Sequence, residues 1–370
     1  MILFGRMQFN AVWDSISGGM WQNVYSQLLR SSLCGVEVGV EEEISAVSEA
    51  LEKEATVRAV SPTRRRFFRQ AGAIALAGIT SSRFGNALPR TLPNPVGYAT
   101  ISWPRDEFGQ ALETISALGY RGIHMLGWVR DAYQGGKIQE LRERLQRLRL
   151  VPTALSCGGA DLEPGRPMGA TGKFRDYMAF MSSLGGYFLQ MPVAGRPDRK
   201  YSAAEIKSLG SSMNEFGKLA KESGLTLGYH PHLGTMGETR EGLGQVLEAT
   251  DPRYVGLIAD VAHLALGGSD PTEVIRTYHQ RLIFLHLKDA RRDTYALARQ
   301  NRASARKAKY RFCEIGRGVV NFPAIVAALR DVQFRGWVVV ELDRYEPLPV
   351  GPAESARINK EALRQLGFNI

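Results

Sequence analysis

From Pro95 onward, short apolar runs alternate with longer segments of helical period. The apolar runs are VGYAT at 96–100, GIHM at 122–125, VPTALS at 151–156, FLQMPV at 188–193, LTLGY at 225–229, YVGLI at 254–258, LIFL at 282–285 and WVVVE at 337–341. Each is short enough for a strand and has the continuous hydrophobicity of a strand buried on both faces. Between them, apolar residues recur at three- and four-residue intervals. This predicts helices over 106–118, 138–148, 174–184, 203–223, 321–332 and 354–366. Strand–helix alternation repeated eight times over about 275 residues predicts an α/β fold, a single-domain (β/α)8 TIM barrel, which typically takes about 250 residues. The barrel is assigned to 91–370. A doubly wound open sheet is the alternative, but no G-x-G-x-x-G follows the first strand. No low-complexity tract or internal sequence repeat is visible.

The first ninety residues lack this pattern. Residues 1–60 are poorly patterned and read as an N-terminal extension, or as a start assigned too early, with Val57 or Val60 as alternative starts. At 61–90 the chain reads SPTRRRFFRQAGAIALAGITSSRFGNALPR. Thr63 to Arg69 matches a twin-arginine signal position by position. An apolar run from Ala71 to Ile79 follows, with small residues at Gly85 and Ala87 where a cleavage site falls. The apolar run is far shorter than the roughly 20 residues that span a bilayer, so no stable membrane anchor is expected. The expected partner is the twin-arginine export machinery and the expected location the periplasm. The cytoplasm is the expectation if the signal is not functional.

Composition refines this picture only slightly. The 370 residues are 44% hydrophobic and 23% charged, ordinary for a globular chain, with a net charge of +10. The signal does not supply that excess, because basic and acidic residues nearly cancel over 1–87. Much of it lies in RRDTYALARQNRASARKAKYR, from Arg291 to Arg311, where Asp293 is the acidic residue. This run reads as a solvated loop-helix, with a lid or an anionic-substrate contact as the functional alternative. The three cysteines, Cys34, Cys157 and Cys313, are too sparse for a disulfide framework or a zinc motif and read as core thiols.

The histidines change the picture most. Of six, His124, His230, His232, His263 and His286 fall at or just past the C-terminal end of an expected strand, while His279 falls in a helical segment at the surface. In a (β/α)8 barrel that rim is where active sites are built. Asp260 and Glu341 end strands in the same way. Imidazoles and carboxylates together suit a divalent transition metal acting as a Lewis acid.

The residues GYHPHLGT, then Asp251 to His263 as DPRYVGLIADVAH, then HLKD at His286 to Asp289, EIGRG at Glu314 to Gly318 and GWVVVE at Gly336 to Glu341 resemble the xylose isomerase-like TIM barrels. Within that family, which includes sugar phosphate isomerases and epimerases, they are most similar to the inosose dehydratase branch. The likeness covers about 95–368 and is specific in the second half. It implies a divalent metal (Mn, Co, Mg or Zn) held by His230, Asp260, His286 and Glu341. His230 stands where the family usually has a glutamate that both ligates and exchanges a proton, and His124 stands where a glutamate is frequent after strand two. The resemblance therefore implies a sugar or keto-polyol isomerase or dehydratase working through an enediolate, and it disfavours two-base epimerisation.

Glu341, His232 and His263 are the expected acid–base groups, with Glu341 first as proton acceptor because one carboxylate oxygen stays free of the metal. Lys288 and Arg292 are expected to hold a substrate hydroxyl or neutralise an oxyanion. Trp103 and Trp128 are expected to form an apolar wall for the sugar ring, with core packing as the alternative for both, and His124 completes the substrate-binding set. The expected substrate is a small sugar or cyclitol, and a homo-oligomer is left open. A non-catalytic carbohydrate-binding barrel is the alternative. An endonuclease IV-like enzyme would need more carboxylates at strands two and four, and FLQMPV offers none, so no nucleic acid partner is expected.

Overall fold

Each apolar run becomes a strand in the computed structural model, which describes residues 91–157, 171–191, 195–309, 311–343 and 349–370. The expected extension at 1–60 and the twin-arginine segment at 61–90, apart from its neighbours at 91 onward, lie outside the described residues. The strands are β1 (Val96–Ala99), β2 (Gly122–Leu126), β3 (Val151–Ser156), β4 (Phe188–Met191), β5 (Thr226–Tyr229), β6 (Val255–Asp260), β7 (Leu282–Leu287), the short pair β8 (Asp289–Ala290) and β9 (Phe312–Cys313), and β10 (Trp337–Val340). Apart from β8 and β9, which form their own antiparallel ladder, the strands close a parallel barrel in the order β1-β10-β7-β6-β5-β4-β3-β2. Val96 opposite Val338 shuts the ring.

The helices are α1 (Phe108–Ala117), α2 (Gly127–Ala132), α3 (Lys137–Arg147), α4 (Thr171–Ser183), α5 (Ala203–Glu222), α6 (Arg240–Ala249), α7 (Val261–Leu266), α8 (Pro271–Thr277), α9 (Arg292–Gln300), α10 (Arg302–Lys307), α11 (Phe322–Asp331) and α12 (Pro352–Gln365). Their starts are written locally. Ser202 and Glu205 make a reciprocal capping box on α5, while Asp270 and Asn321 cap α8 and α11 ahead of a proline in the first turn. On α5, Leu209, Met213, Phe216 and Ala220 recur at helical spacing and are the buried stripe.

Side chains alternate along each strand, and this decides what fills the barrel. Ala99, Ala154, Ile258, Phe284 and Val339 form one buried cluster, with Phe188 and Trp337 packed against it. Gly228 keeps this level open, since a Cβ there would lie 2.3 Å from Ile258 Cδ1. Two residues further along the same strands, the pleat carries Ser156, Gln190, Asp260, His286 and Glu341. His124 and His230 stand two beyond Gly122 and Gly228. The barrel is thus plugged below and polar at its C-terminal mouth.

Three details differ from the pattern-based expectation. The strands ending at YVGLI and LIFL run on to Asp260 and Leu287, so Asp260 and His286 lie within the sheet. The basic run folds into α9 and α10 between β8 and β9. His279 is exposed in the turn after α8. Cys157 is buried and Cys313 half-buried, both as free thiols. Among the described residues no helix is long and apolar enough to cross a membrane.

Candidate metal and active site

His230, Asp260, His286 and Glu341 are all buried, and one ligand atom of each lies within 4.8 Å of the others. Asp260 divides its carboxylate between two tasks. Oδ1 accepts from the backbone N–H of Ala262 and of His263, each at 3.0 Å, and caps α7. Oδ2 is buried, paired with the Lys288 ammonium at 3.2 Å, and lies 3.7 Å from His286 Nδ1. His230 bonds the Ile258 carbonyl through Nδ1 at 3.1 Å, which fixes its proton there and leaves Nε2 buried and unpartnered. His286 Nδ1 is unpartnered in the same way, and its Nε2 lies 3.4 Å from Glu341 Oε2. A buried polar atom without a partner costs about 1–3 kcal/mol. Such atoms on His230 and His286, beside carboxylates from two further strands, fit a divalent ion held by two imidazoles and two carboxylates.

Electrostatics keep these donors in a ligating state. Burial holds the His230 and His286 imidazoles well below their ordinary value, hence neutral at pH 7. Burial pushes the Asp260 carboxyl up to about 6, against the pull of Lys288. Burial would raise Glu341 too, but the neighbouring imidazoles and Lys288 outweigh it and hold that carboxyl well below its usual range. Lys288, 1% exposed, sets its Nζ 2.9 Å from Glu341 Oε1, 3.2 Å from Asp260 Oδ2 and 3.4 Å from Asp343 Oδ2. Burial alone would lower its pKa; the three carboxylates raise it well above the ordinary value. The ammonium is therefore engaged with the ligand carboxylates. It also occupies the Glu341 oxygen that was expected to stay free.

His124, expected in the substrate-binding set, stands within the same cluster. Its Nδ1 lies 3.1 Å from His286 Nε2, its Nε2 lies 2.9 Å from Ser156 Oγ, and the two rings stack. His232 and His263 stack at 4.5 Å beside His230. His263 Nδ1 accepts from the Leu233 N–H at 3.1 Å, which puts its proton on Nε2. His232 Nε2 is buried and unpartnered, and burial, helped by His230, holds that imidazole down to about 3.

Of the two readings open for the tryptophans, core packing is the one seen. Trp103 is buried in the main core, edge-to-face with Tyr98 at 5.5 Å. Trp128 packs edge-to-face on Phe108 at 5.5 Å, under Arg105. Arg292 is exposed at the first position of α9. Other residues of this region were missed from sequence. Asp343 completes the carboxylates around Lys288. Asp289, the last residue of HLKD, accepts from the N–H groups of Ala290, Gly316, Gly318 and Val320 at 2.7 to 3.1 Å and so holds the EIGRG turn against the barrel. Gly318 is required there, because a Cβ would lie 2.1 Å from the Ala290 carbonyl.

A closed parallel barrel with imidazoles and carboxylates at the C-terminal ends of its strands is the arrangement of TIM-barrel enzymes. The family model described as Xylose isomerase-like TIM barrel matches residues 112–366, and the chain belongs to that family. An inosose dehydratase of Geobacillus kaustophilus is 27% identical over 303 residues, spanning 74% of this chain and 95% of that protein. One of Clostridium perfringens is 28% identical over 286 residues, spanning 70% and 93%. Among solved structures, the IOLI protein with a binding zinc atom superposes with a TM-score of 0.60 at 18% identity, over 74% of this chain and 98% of that one, a likeness of fold.

Proposed function

We propose that this enzyme acts on a keto-inositol or a closely related keto-polyol, removing the proton α to the carbonyl and then losing a β-hydroxyl as water or shifting the carbonyl. The family and the inosose dehydratase relatives support a sugar isomerase or dehydratase class. The observation that carries the proposal is the pair of unpartnered buried imidazole nitrogens on His230 and His286 beside the Asp260 and Glu341 carboxylates. These four residues would hold a divalent metal, which when bound polarises a substrate carbonyl.

The remaining chemistry belongs to the chain. Glu341, with Oε1 on Lys288 and its carboxylate within the donor set, is a ligand more than a base. His232 is neutral and its Nε2 has no partner, so its position, not its basicity, makes it the proton acceptor of this reading. In elimination, the α C–H bond breaks with its proton passing to His232 Nε2. The β C–O bond then breaks, and His232 returns that proton to the leaving hydroxyl as water. His263 stacks on His232 and keeps its own proton on Nε2, so it donates a hydrogen bond rather than competing as a base. One base on one face disfavours inversion, which needs groups on opposite faces of one carbon.

The test is turnover of keto-inositols in deuterated water by the metal-loaded protein. Water loss or carbonyl migration is expected. Clean inversion at one carbon, with deuterium incorporated there and no water lost, overturns the proposal. We also propose, from Thr63 to Arg69, that the chain is exported in a folded state through the twin-arginine route.

A further inference from the structure

The polar ring at the barrel mouth has two halves, and the metal donors account for one of them. The other half consists of Ser156 on β3 and Gln190 on β4, joined to the metal half by His124. Gln190 is 4% exposed, yet Oε1 of its amide is buried with no partner, while Nε2 donates to Ser156 Oγ at 3.2 Å. A buried amide with one arm unpaired pays a cost that a structural glutamine avoids.

The hydrogen-bond directions around Ser156 follow from the metal half. With Nδ1 of His286 kept as a lone pair, its proton sits on Nε2 and is donated to His124 Nδ1. His124 then carries its own proton on Nε2 and donates to Ser156 Oγ at 2.9 Å. Ser156 thus accepts from both His124 and Gln190, and its hydroxyl hydrogen is left to give. Beside it stands the unpaired Gln190 carbonyl. A donor next to an acceptor is the complement of an alcohol, which both accepts and donates. With the amide turned the other way, Oε1 accepts from Ser156 and Nε2 becomes the unpaired arm, which still meets an alcohol oxygen. Both groups are neutral, and neither can give a phosphate the charge-assisted bond of a cationic donor.

We propose that Ser156 and Gln190 form a hydroxyl-binding subsite that receives the part of an unphosphorylated cyclitol or sugar ring remote from its carbonyl. The subsite determines substrate specificity, and it rests on the keto-polyol reading of the metal half. A substrate lacking the matching hydroxyl leaves Gln190 unpaired, and sites built to bond a hydroxyl discriminate strongly against the analogue without it.

The experiment measures binding, so it does not depend on turnover. The metal-loaded full chain is titrated calorimetrically with myo-inositol, which has the hydroxyls but no carbonyl, for the wild type, Gln190→Met and Ser156→Ala. Gln190→Met is expected to weaken inositol by tenfold or more while leaving metal affinity unchanged and the melting temperature equal or higher, because an unpaired buried amide has been removed. Ser156→Ala is expected to weaken inositol in the same direction. No inositol binding by the wild type, or equal affinity in wild type and Gln190→Met, overturns the subsite. So does a melting temperature that falls with Gln190→Met while Ser156→Ala binds inositol normally, since Gln190 would then be structural. Weakened inositol binding in both variants, with no wild-type turnover of keto-inositols, keeps the subsite and removes the proposed reaction. Turnover with unchanged inositol binding removes the subsite alone.

Discussion

Asp260 shows how much chemistry one side chain holds together here. One oxygen starts α7 and the other faces the candidate ion, so the strand end, the helix and the site share a carboxylate. Because burial places its pKa at about 6, proton and metal compete for it just below neutrality. Metal affinity, followed by titration from pH 8 to pH 5, is expected to be flat above about 6 and to fall about tenfold per pH unit below it, as a single proton must be displaced. A constant affinity down to pH 5 contradicts this. Glu341→Gln is expected to abolish turnover and weaken metal binding by at least about tenfold, since a carboxylate is lost from the donor set and Lys288 loses a partner. His230→Glu is expected to retain the metal, which elemental analysis of the purified variant checks. These ligands were legible in the sequence because each closes an apolar run, so its place at the rim follows from the strand. Ser156 closes its run and Gln190 lies inside FLQMPV, but serine and glutamine announce no chemistry until the pleat shows which way they point. For Trp103 and Trp128 a sugar wall and core packing both stayed open, because proximity to a strand end says nothing about whether an aromatic ring turns toward the mouth or into the wall.

At the scale of elements, the basic run turns out to be tied down. Arg306 on α10 makes two bonds of 2.7 Å to Glu238, one from Nε and one from Nη2, and also reaches Asp198. Glu238 is 2% exposed and accepts from Gly234 N–H at 2.7 Å, in the same loop that carries His230 and His232. The guanidinium therefore fastens α10 to the loop after β5 rather than reaching for an anionic substrate. Arg306→Ala leaves a buried carboxylate short of its main partner. It is expected to cost about 3 kcal/mol, read as a lower denaturant midpoint, whereas Arg292→Ala at the exposed start of α9 should stay within about 0.5 kcal/mol. The sequence showed the cluster of charge but not this bond, because its partner lies 68 residues away and pairing at that range is set by the fold. The two-residue strands β8 and β9 escaped for a different reason, being too short to show any period.

At the scale of the molecule, the barrel was legible because its strands are largely buried on both faces and its longer helices present an apolar stripe. What the sequence suggests ahead of the barrel has a direct test: changing Arg64 and Arg65 together to Lys is expected to retain the protein unexported, as fractionation would show, and normal export of that variant contradicts the twin-arginine reading. The circular strand order also governs when the site can exist. β1 finds its second neighbour only in β10, and Glu341 follows β10 directly. A nascent chain that has emerged only as far as β7 is an open sheet with two bare edges, holding three of the four donors. Both the exposure of those edges and the assembly of the donor set end in one event, the docking of the last strand. A chain stalled before Trp337 is accordingly prone to pair its edges with another copy, while in the finished ring every strand has two neighbours and no edge is left to recruit one.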